Sequence, residues 1–445
     1  MGSCITINLE RIVYGKFSLN ICNKFGGNMK PKLFSRIISK LLIIMLILCS
    51  TTIFACVNNS YDLEYKVNSD GKTCTITGLG NYSSKNLVIP YKIGDYEVTA
   101  IADCAFQGTD IITFSGGDNI ITIGKAAFRN CRYLRMALIP EKVVEIEEYC
   151  FEFCESLSNV TFPQNLVSIG YAAFAECSSL VSLDIPDTVL EIEGYAFDQC
   201  KSLSNIKLPS KLRSVEDGTF LKCSSLVTIN IPETVIRIGV CAFSLCQSLT
   251  SINIPNKVEA IGDFAFSGCQ SLTEIIIPNS VTQIGQSAFA ICLSLTEIHF
   301  PASVTTIGTA PLAYTNLTSI GVDIDNPVLS SIDGNLYLNN TVFLNYAGGK
   351  SDDFFSIPNG VAQIGTESFA GCINLKTISI PQSVNYIGAQ VFYMSPNIET
   401  IYYDGTIADW YWIVKNNNWN AKTESVFTII CTDGTIAMDG TVTYN

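Results

Sequence analysis

Apolar residues recur in this chain at spacings that change within a short segment and then begin again. In Leu249–Ser271, LTSINIPNKVEAIGDFAFSGCQS, Ile252 and Ile254 alternate with polar residues, which predicts a strand with one inward side. Pro255 follows at the strand end, where its missing N–H breaks no ladder bond. The apolar residues of KVEAIG return along another side, and DFAFSGC predicts one short helical turn with Asp263 as its N-cap.

The segment repeats with a period of 23 residues. Prolines at the strand ends keep this interval, with one interruption, at Pro140, Pro163, Pro186, Pro209, Pro232, Pro255, Pro278, Pro301, Pro358 and Pro381. A second register holds Phe106, Phe128, Phe151, Phe174, Phe197, Phe220, Phe243, Phe266, Phe289, Leu312, Phe369 and Phe392. A fixed period in the twenties is typical of a solenoid. We therefore predict a β-rich α/β solenoid of about twelve coils, with a parallel strand face and short helical turns.

One coil cannot fold alone. Its six apolar side chains contribute roughly 10–18 kcal/mol gross, at about 1.5–3 kcal/mol each. Ordering its 23 residues costs more, at about 1–2 kcal/mol per residue for the backbone. Stacking on neighbours is therefore obligatory, and both open ends need caps.

The repeated pattern resembles a known family. LTSINIPNKVEAIGDFAFSGC is similar to the 23-residue repeat of BspA-like leucine-rich-repeat surface proteins, and the resemblance runs over residues 61–436. Asn326–Lys350 is similar to the family's β-rich insertion, although Ala347 stands where proline is common, and Ile401–Ile413 is similar to its C-terminal cap. The resemblance implies a right-handed leucine-rich-repeat array and adhesion to host or neighbouring-cell macromolecules, often extracellular-matrix proteins.

The domain organisation follows from the repeats and the resemblance. A hairpin with Asp70 and Gly71 as its turn is expected in the N-terminal cap. The predicted segments are a leader at 1–56, an N-terminal β cap at 57–98, repeats at 99–320, a β-rich insertion at 321–357, repeats at 358–403 and a C-terminal cap at 404–445.

The leader has the pattern of an export signal. Met29–Lys40 is basic, Leu41–Cys49 is apolar, and an uncharged stretch ends at Cys56. Met29 is therefore the expected start. IFAC resembles a bacterial lipobox, which makes Cys56 a candidate for lipidation, although Phe54 is bulky for that motif. Ordinary cleavage with secretion and an uncleaved anchor are the alternatives, and contact with a membrane is expected only through this leader or its lipid.

The charge excludes one class of partner. The whole chain has a formal charge of −13, and residues 1–56 hold seven of the 27 Lys and Arg but one of the 40 Asp and Glu. The remainder, with 20 basic and 39 acidic residues, carries −19. A body this acidic lacks the basic surface that nucleic acids require, so nucleic acid is not an expected partner.

Eight of the 18 cysteines share one register: Cys131, Cys154, Cys177, Cys200, Cys223, Cys246, Cys269 and Cys292. Stacked coils place equivalent atoms about 4.8 Å apart, whereas a disulfide needs Cβ atoms about 3.8 Å apart. Thr109, Thr315 and Ser395 occupy the same register and share a hydrogen-bond donor with the thiol. These observations favour a reduced structural ladder over scattered disulfides or a metal site.

No catalytic constellation is present. His299 is the single histidine, and neither a nucleophile elbow, nor H-E-x-x-H, nor a P-loop accompanies it. The acidic residues are scattered, which leaves an extracellular glycan hydrolase with least support. VDIDNP at 322–327 lacks a calcium-binding loop. We therefore predict no enzyme, no metal and no cofactor.

The strand face is the first candidate binding surface, because its outward residues differ between coils while the inward ones do not. The candidates are Asp184, Lys207, Asn230, Asn253, Glu274, Glu297 and His299. The last three are expected to form one acidic patch. An aromatic patch in the C-terminal cap is the alternative, at Tyr402, Trp410, Trp412 and Trp419, unless these rings close the last coil.

The predicted function is that of a non-enzymatic surface protein that binds an extracellular protein or glycan. A structural spacer or surface-layer protein without a specific ligand is the alternative.

Overall fold

The computed structural model describes residues 62–420 and 426–445. The predictions for the leader at 1–56, including the start at Met29 and the lipidation of Cys56, lie outside the described residues.

Each coil contributes a short strand to a first row of parallel strands. Most successive strands pair with a shift of 23 residues, so that Ser182 lies opposite Asn205 and Thr228 lies opposite Ser251. Fourteen coils each contribute one strand to this row: Asn86–Val88, Thr113–Ser115, Met136–Leu138, Asn159–Thr161, Ser182–Asp184, Asn205–Lys207, Thr228–Asn230, Ser251–Asn253, Glu274–Ile276, Glu297–Phe300, Ser319–Val322, Phe354–Ser356, Thr377–Ile380 and Thr400–Tyr403. The β-solenoid is confirmed.

The row has two coils more than the phenylalanine register indicates. Asn86–Val88 lies inside the predicted N-terminal cap and Phe354–Ser356 lies inside the predicted insertion, and neither follows a register phenylalanine. In the second case Tyr346, 23 residues before Phe369, takes the place of the ring and is buried.

A second row consists mostly of two-residue strands, which in most coils begin a few residues after the proline. It comprises Tyr96–Ile101, Thr122–Ile123, Glu145–Ile146, Ser168–Ile169, Glu191–Ile192, Ser214–Val215, Arg237–Ile238, Ala260–Ile261, Gln283–Ile284, Thr306–Ile307, Val342–Asn345, Gln363–Ile364, Tyr386–Ile387 and Val414–Lys415. The isoleucine or valine at the end of a two-residue strand is buried in most coils, and the preceding residue faces solvent. The two rows thus enclose the core from two sides.

The third side of each coil differs in detail from the expected helical turn. Leu245 and Phe264 have φ values of 60° and 55°, in the left-handed region, which ends any helix. The N–H of Phe266 then reaches the carbonyl of Ala288 in the next coil, at 2.8 Å. Asp263 accepts from the backbone N–H of Gln286 in that coil, at 2.7 Å, instead of capping its own. The turns therefore bond between coils and not along a helix.

Phenylalanine rings form a stack along the core. From Phe128 to Phe289, consecutive rings lie 5.2 to 5.9 Å apart, with planes within 12° of parallel. All are fully buried. This spacing lies in the range of favourable offset-stacked aromatic pairs, which adds to the gain from burial. The stack makes each coil's ring part of its neighbour's core.

The register cysteines form a second buried ladder. The thiol of Cys154 lies 3.1 Å from the carbonyl oxygen of Phe128 in the preceding coil, and Cys223 lies 3.2 Å from that of Phe197. The other six make the same contact at 3.0 to 3.3 Å: Cys131, Cys177, Cys200, Cys246, Cys269 and Cys292. None of the fourteen cysteines in the described residues forms a disulfide. Each of the eight register thiols instead donates a weak hydrogen bond between coils.

The hydroxyl residues of this register also donate to backbone carbonyls, although only Ser395 donates between coils. Ser395 donates to the carbonyl of Phe369 in the preceding coil at 2.6 Å, whereas Thr109 and Thr315 donate within their own coils at 2.8 Å. Cys372 is a ninth buried thiol of the register that the sequence comparison overlooked. The position therefore selects a small donor.

The N-terminal end is closed by antiparallel strands. Glu64–Val67 pairs with Thr73–Gly78, as the predicted hairpin requires, and Lys92–Ile93 pairs with Tyr96–Ile101. In the turn, Gly71 has a φ of 64°, and Asp70 accepts from the N–H groups of Lys72 and Thr73 at 2.9 Å.

A hairpin and one further strand interrupt the repeats. Leu329–Ile332, Asn335–Leu338 and Val342–Asn345 are antiparallel neighbours, and the last pairs in parallel with Gln363–Ile364. The last strand of the insertion therefore joins the second row, and the regular coils continue after it.

The C-terminal end combines a helix and antiparallel strands. Ile407–Trp412 is the one α-helix among the described residues and begins with a capping box, in which Thr406 and Asp409 bond to each other's backbone N–H. Thr428–Cys431 still pairs in parallel with Thr400–Tyr403, and Gly434–Ile436 and Val442–Tyr444 then add two antiparallel strands. This change of direction ends the parallel stack.

Replacing one ladder thiol tests its role. Burial raises the pKa of Cys223 well above its ordinary value, so the folded chain keeps the proton while the unfolded chain loses it above about pH 8.5. Retaining this proton stabilises the folded chain. The stabilisation is full below this pH and decreases as the pH rises, by about 1.4 kcal/mol per pH unit for each thiol. Cys223→Ser should remove this increment from the alkaline slope and cost about 1 kcal/mol at pH 7. Denaturant unfolding from pH 7 to 10.5 measures both.

Cys223→Leu is the matched control. It also removes the titration, but it loses the donor and overpacks the turn, so at pH 7 it should cost about 1–3 kcal/mol more than the serine variant. An alkaline slope equal to that of the unmodified chain, or equal costs for serine and leucine, contradicts the ladder as described.

Candidate functional site on the strand face

The seven predicted binding residues are all exposed on the first row. Four of them form one line across neighbouring coils, with Asp184 opposite Lys207, Lys207 opposite Asn230, and Asn230 opposite Asn253. Ile276 continues the line opposite Asn253 and is 77% exposed. Whether this face binds a partner stays a prediction.

A shallow depression of about 320 Å³ lies on this face. Glu274, Glu297 and His299 line it together with Ser319 and Gly321. Its floor is formed by the buried Ile275 and Ile298. The structure therefore brings the three residues of the expected acidic patch into one depression.

The depression sits at a junction in the strand pairing. Continuous pairing runs from Ser182–Asp184 to Glu274–Ile276, and Glu297–Phe300 begins a new pair with Ser319–Val322. The two acidic side chains therefore come from strands on either side of the junction.

His299 is held by a residue of the next coil. Its Nε2 lies 2.7 Å from Oδ1 of Asp323, and Oδ2 of Asp323 accepts from the N–H of Ala302 at 3.0 Å. The bond from His299, followed by that from Ala302, lowers the pKa of Asp323 below its ordinary value. The carboxylate therefore remains ionised and fixes the orientation of the imidazole.

Glycine at position 321 leaves room for this ring. Gly321 lies directly opposite His299, and a Cβ there would stand 2.5 Å from the imidazole Nδ1. Because Nε2 faces Asp323, Nδ1 is the nitrogen on the Gly321 side.

Sequence analysis missed Asp323 as part of this surface. The aspartate lies in VDIDNP, which was considered only as a calcium-binding loop, yet it follows His299 by one coil period plus one residue. Extending the strand register one coil further predicts the strand Ser319–Val322, and Asp323 directly follows that strand. The patch thus combines the carboxylates of Glu274, Glu297 and Asp323 with one imidazole.

The four cap aromatics do not form one patch. Trp410 is 3% exposed, and Trp419 packs against it and against Phe427, with ring centres 5.9 Å apart in both cases. Trp412 is 84% exposed and Tyr402 lies exposed on the strand face. Trp410 and Trp419 therefore close the apolar end of the array, and the expected aromatic surface is divided.

A half-buried lysine supports this closure. The Nζ of Lys415 lies 4.6 Å from the Trp410 ring centre and donates to the carbonyls of Trp410 and Ile413. Burial lowers the pKa of Lys415 to about 8. Its bonds satisfy carbonyls at the C-terminal end of the helix.

Within residues 62–420 and 426–445, no group of three or more His, Cys, Asp or Glu side chains is placed to hold a metal ion. In the same part of the chain, no helix combines the length and apolar character needed to span a membrane.

Comparisons with known proteins agree on the fold. The model of the BspA type leucine rich repeat region matches six copies, at residues 99–227, 213–342 and 345–411. No curated protein matches. A leucine-rich repeat protein from Bacteroides ovatus is 24% identical, with a TM-score of 0.62 over 85% of this chain and 100% of its own. A leucine rich cell surface protein from Faecalibacterium prausnitzii is 25% identical, with a TM-score of 0.55 over 81% of this chain and 98% of its own.

The family match extends over most of the chain and describes a repeat scaffold. The 23-residue register, the two strand rows and these matches together show that the chain belongs to the family of proteins with BspA-type leucine-rich repeats.

Proposed function

We propose that this protein is a non-enzymatic adhesion protein of the cell surface, which binds a basic region of an extracellular protein through the strand face. The observation that carries the proposal is the depression in which Glu274, Glu297 and His299 meet. Its location beside the exposed Ile276 combines negative charge with apolar surface. Such a combination suits a lysine or arginine side chain with an apolar neighbour.

The division of residues within a coil supports this role. Inward residues such as Ile252 and Phe266 recur in nearly every coil and are buried, so they cannot distinguish one partner from another. Outward residues differ from coil to coil and are free of packing constraints. A partner on a neighbouring cell, a host cell or the extracellular matrix would therefore be selected by the outward residues.

The location of the protein is part of the proposal. A basic segment and an apolar segment, Met29–Lys40 and Leu41–Cys49, direct export, and Cys56 carries the lipid that holds the array at the membrane surface. The cell-surface description of the Faecalibacterium prausnitzii protein supports export of this chain.

Charge reversal tests the strand face. Glu274→Lys with Glu297→Lys should weaken binding to a responsive matrix protein at least about tenfold, because like charges would then face the basic partner. The loss should shrink as salt shortens the screening length below about 8–10 Å. Thermal stability should change by less than about 1 kcal/mol, since both side chains are exposed. Surface plasmon resonance against immobilised matrix proteins measures the affinity.

Two controls separate binding from folding and from net charge. Glu141→Lys with Glu233→Lys makes the same charge change at exposed positions after the strand prolines and should leave affinity unchanged. Phe266→Ala should cost about 3–5 kcal/mol and reduce binding only through unfolding. If the strand-face variant binds as the unmodified chain does, the face is a scaffold and a spacer role is favoured.

Replacing Cys56 tests the anchor. Cys56→Ser should abolish a lipid-dependent mass increase and move the protein from the membrane fraction to the medium or to an unprocessed form. Intact-mass spectrometry and fractionation read out both effects. An unchanged mass and an unchanged distribution would exclude lipidation and leave cleavage or an uncleaved anchor.

A further inference from the structure

A row of exposed apolar residues lies on the second strand row, away from the strand face. Ile121, Val144, Val167 and Leu190 precede the short strands of four consecutive coils and are 53%, 44%, 42% and 51% exposed. We refer to these four residues as the apolar row. After Leu190 the register continues as Arg213, Ile236, Glu259, Thr282 and Thr305, and Ile236 is 46% exposed. The polar residues in this series show that neither the core nor the strand geometry requires an apolar residue there.

Hydrogen bonds hold three of the four residues of the apolar row in register. The N–H of Val167 donates to the carbonyl of Val144 at 2.7 Å, and that of Leu190 donates to Val167 at 2.8 Å. Parallel strands are about 4.8 Å apart, so the four side chains span about 14 Å. Single exposed apolar residues are ordinary on protein surfaces, whereas a contiguous row marks a contact surface.

Acidic residues border the row on one side. Glu145 and Glu191 directly follow Val144 and Leu190 in the chain and are exposed. Burial raises the pKa of Glu193, and repulsion from Glu191, Glu148 and Glu145 adds to it. These carboxylates therefore share one negative region across neighbouring coils, with Lys125 held by Glu148 at 3.1 Å.

The spacing of the row favours one kind of occupant. Side chains at positions i, i+4, i+7 and i+11 of a helix advance by about 5.4 Å per turn, close to the coil spacing, and extend over about 16 Å. Successive side chains on one side of an extended strand are about 6.7 Å apart and would lose register with the row. A helix lying along the solenoid axis would thus place an apolar residue near each of the four.

We propose that the apolar row and the acidic residues beside it form a second docking surface, for an amphipathic helix of a partner protein with basic residues flanking its apolar stripe. The carboxylates select the basic flank, and the row receives the stripe. This surface shares no residue with the strand-face depression. A test of this docking proposal can therefore succeed or fail independently of the strand-face proposal.

A designed peptide tests the surface directly. The probe is a fluorescein-labelled 14-residue helical peptide with leucines at i, i+4, i+7 and i+11 and lysines beside them, titrated with the full chain by fluorescence anisotropy. Val144→Thr, Val167→Thr and Leu190→Thr together should weaken binding at least about tenfold, because apolar contact area is lost. Threonine occupies this register at Thr282 and Thr305, so the array accepts it.

Matched variants make the result decisive. Glu145→Lys with Glu191→Lys should weaken the peptide several-fold, as expected for unfavourable charge. Val181→Thr with Val227→Thr, which removes exposed valines from the strand face, should leave its affinity unchanged. Glu274→Lys with Glu297→Lys should also leave it unchanged.

Several outcomes would overturn the proposal. One is equal binding of a scrambled peptide of the same composition, which would show attraction by charge alone. A second is unchanged affinity of the triple threonine variant. A third is a dimer of the unmodified chain that becomes a monomer in that variant by sedimentation, which would mean that a second copy covers the row. A fourth is binding to neutral phosphatidylcholine vesicles that the triple variant abolishes.

Discussion

The hydrogen bond from one coil to the next is the interaction on which the rest of this structure depends. A coil of 23 residues buries too little to be stable alone, and its backbone groups find partners mainly in its neighbours. The carbonyl of Phe197 illustrates this dependence, because it receives the N–H of Cys200 within its own coil and the thiol of Cys223 from the next. The ring stack and both strand rows are built by the same displacement from one coil to the next.

This repeated translation separates the residues that fold the chain from those available for binding. Inward positions must match between neighbours, since a substitution in one coil alters the packing of two. Outward positions lack this constraint, which allows Glu274 and Glu297 to meet in one depression and four apolar side chains to align elsewhere. One scaffold therefore presents two chemically different surfaces.

The sequence predicts whatever the period controls. Strand register, ring stacking and the donor at the cysteine position follow from spacing alone. The turn conformation does not, because DFAFSGC has helix-forming residues while Phe264 adopts a left-handed conformation that only inter-coil bonding explains. The pairing of His299 with Asp323 was not predicted, because the inserted strands that follow Asp323 interrupt the 23-residue register. Burial of Trp410 beside exposed Trp412 depends on a helix too short for periodicity to reveal.

Deletion of whole and partial coils tests most directly whether inter-coil registry governs the fold. Removing residues 232–254, one period of 23, joins Ile231 to Pro255 and restores every register. This variant should unfold cooperatively in denaturant, with a lower free energy of unfolding and a smaller dependence on denaturant concentration, because less surface is buried. Removing 232–243 instead takes out about half a coil and should abolish cooperative unfolding. Equal stability of the two deletions would contradict the account.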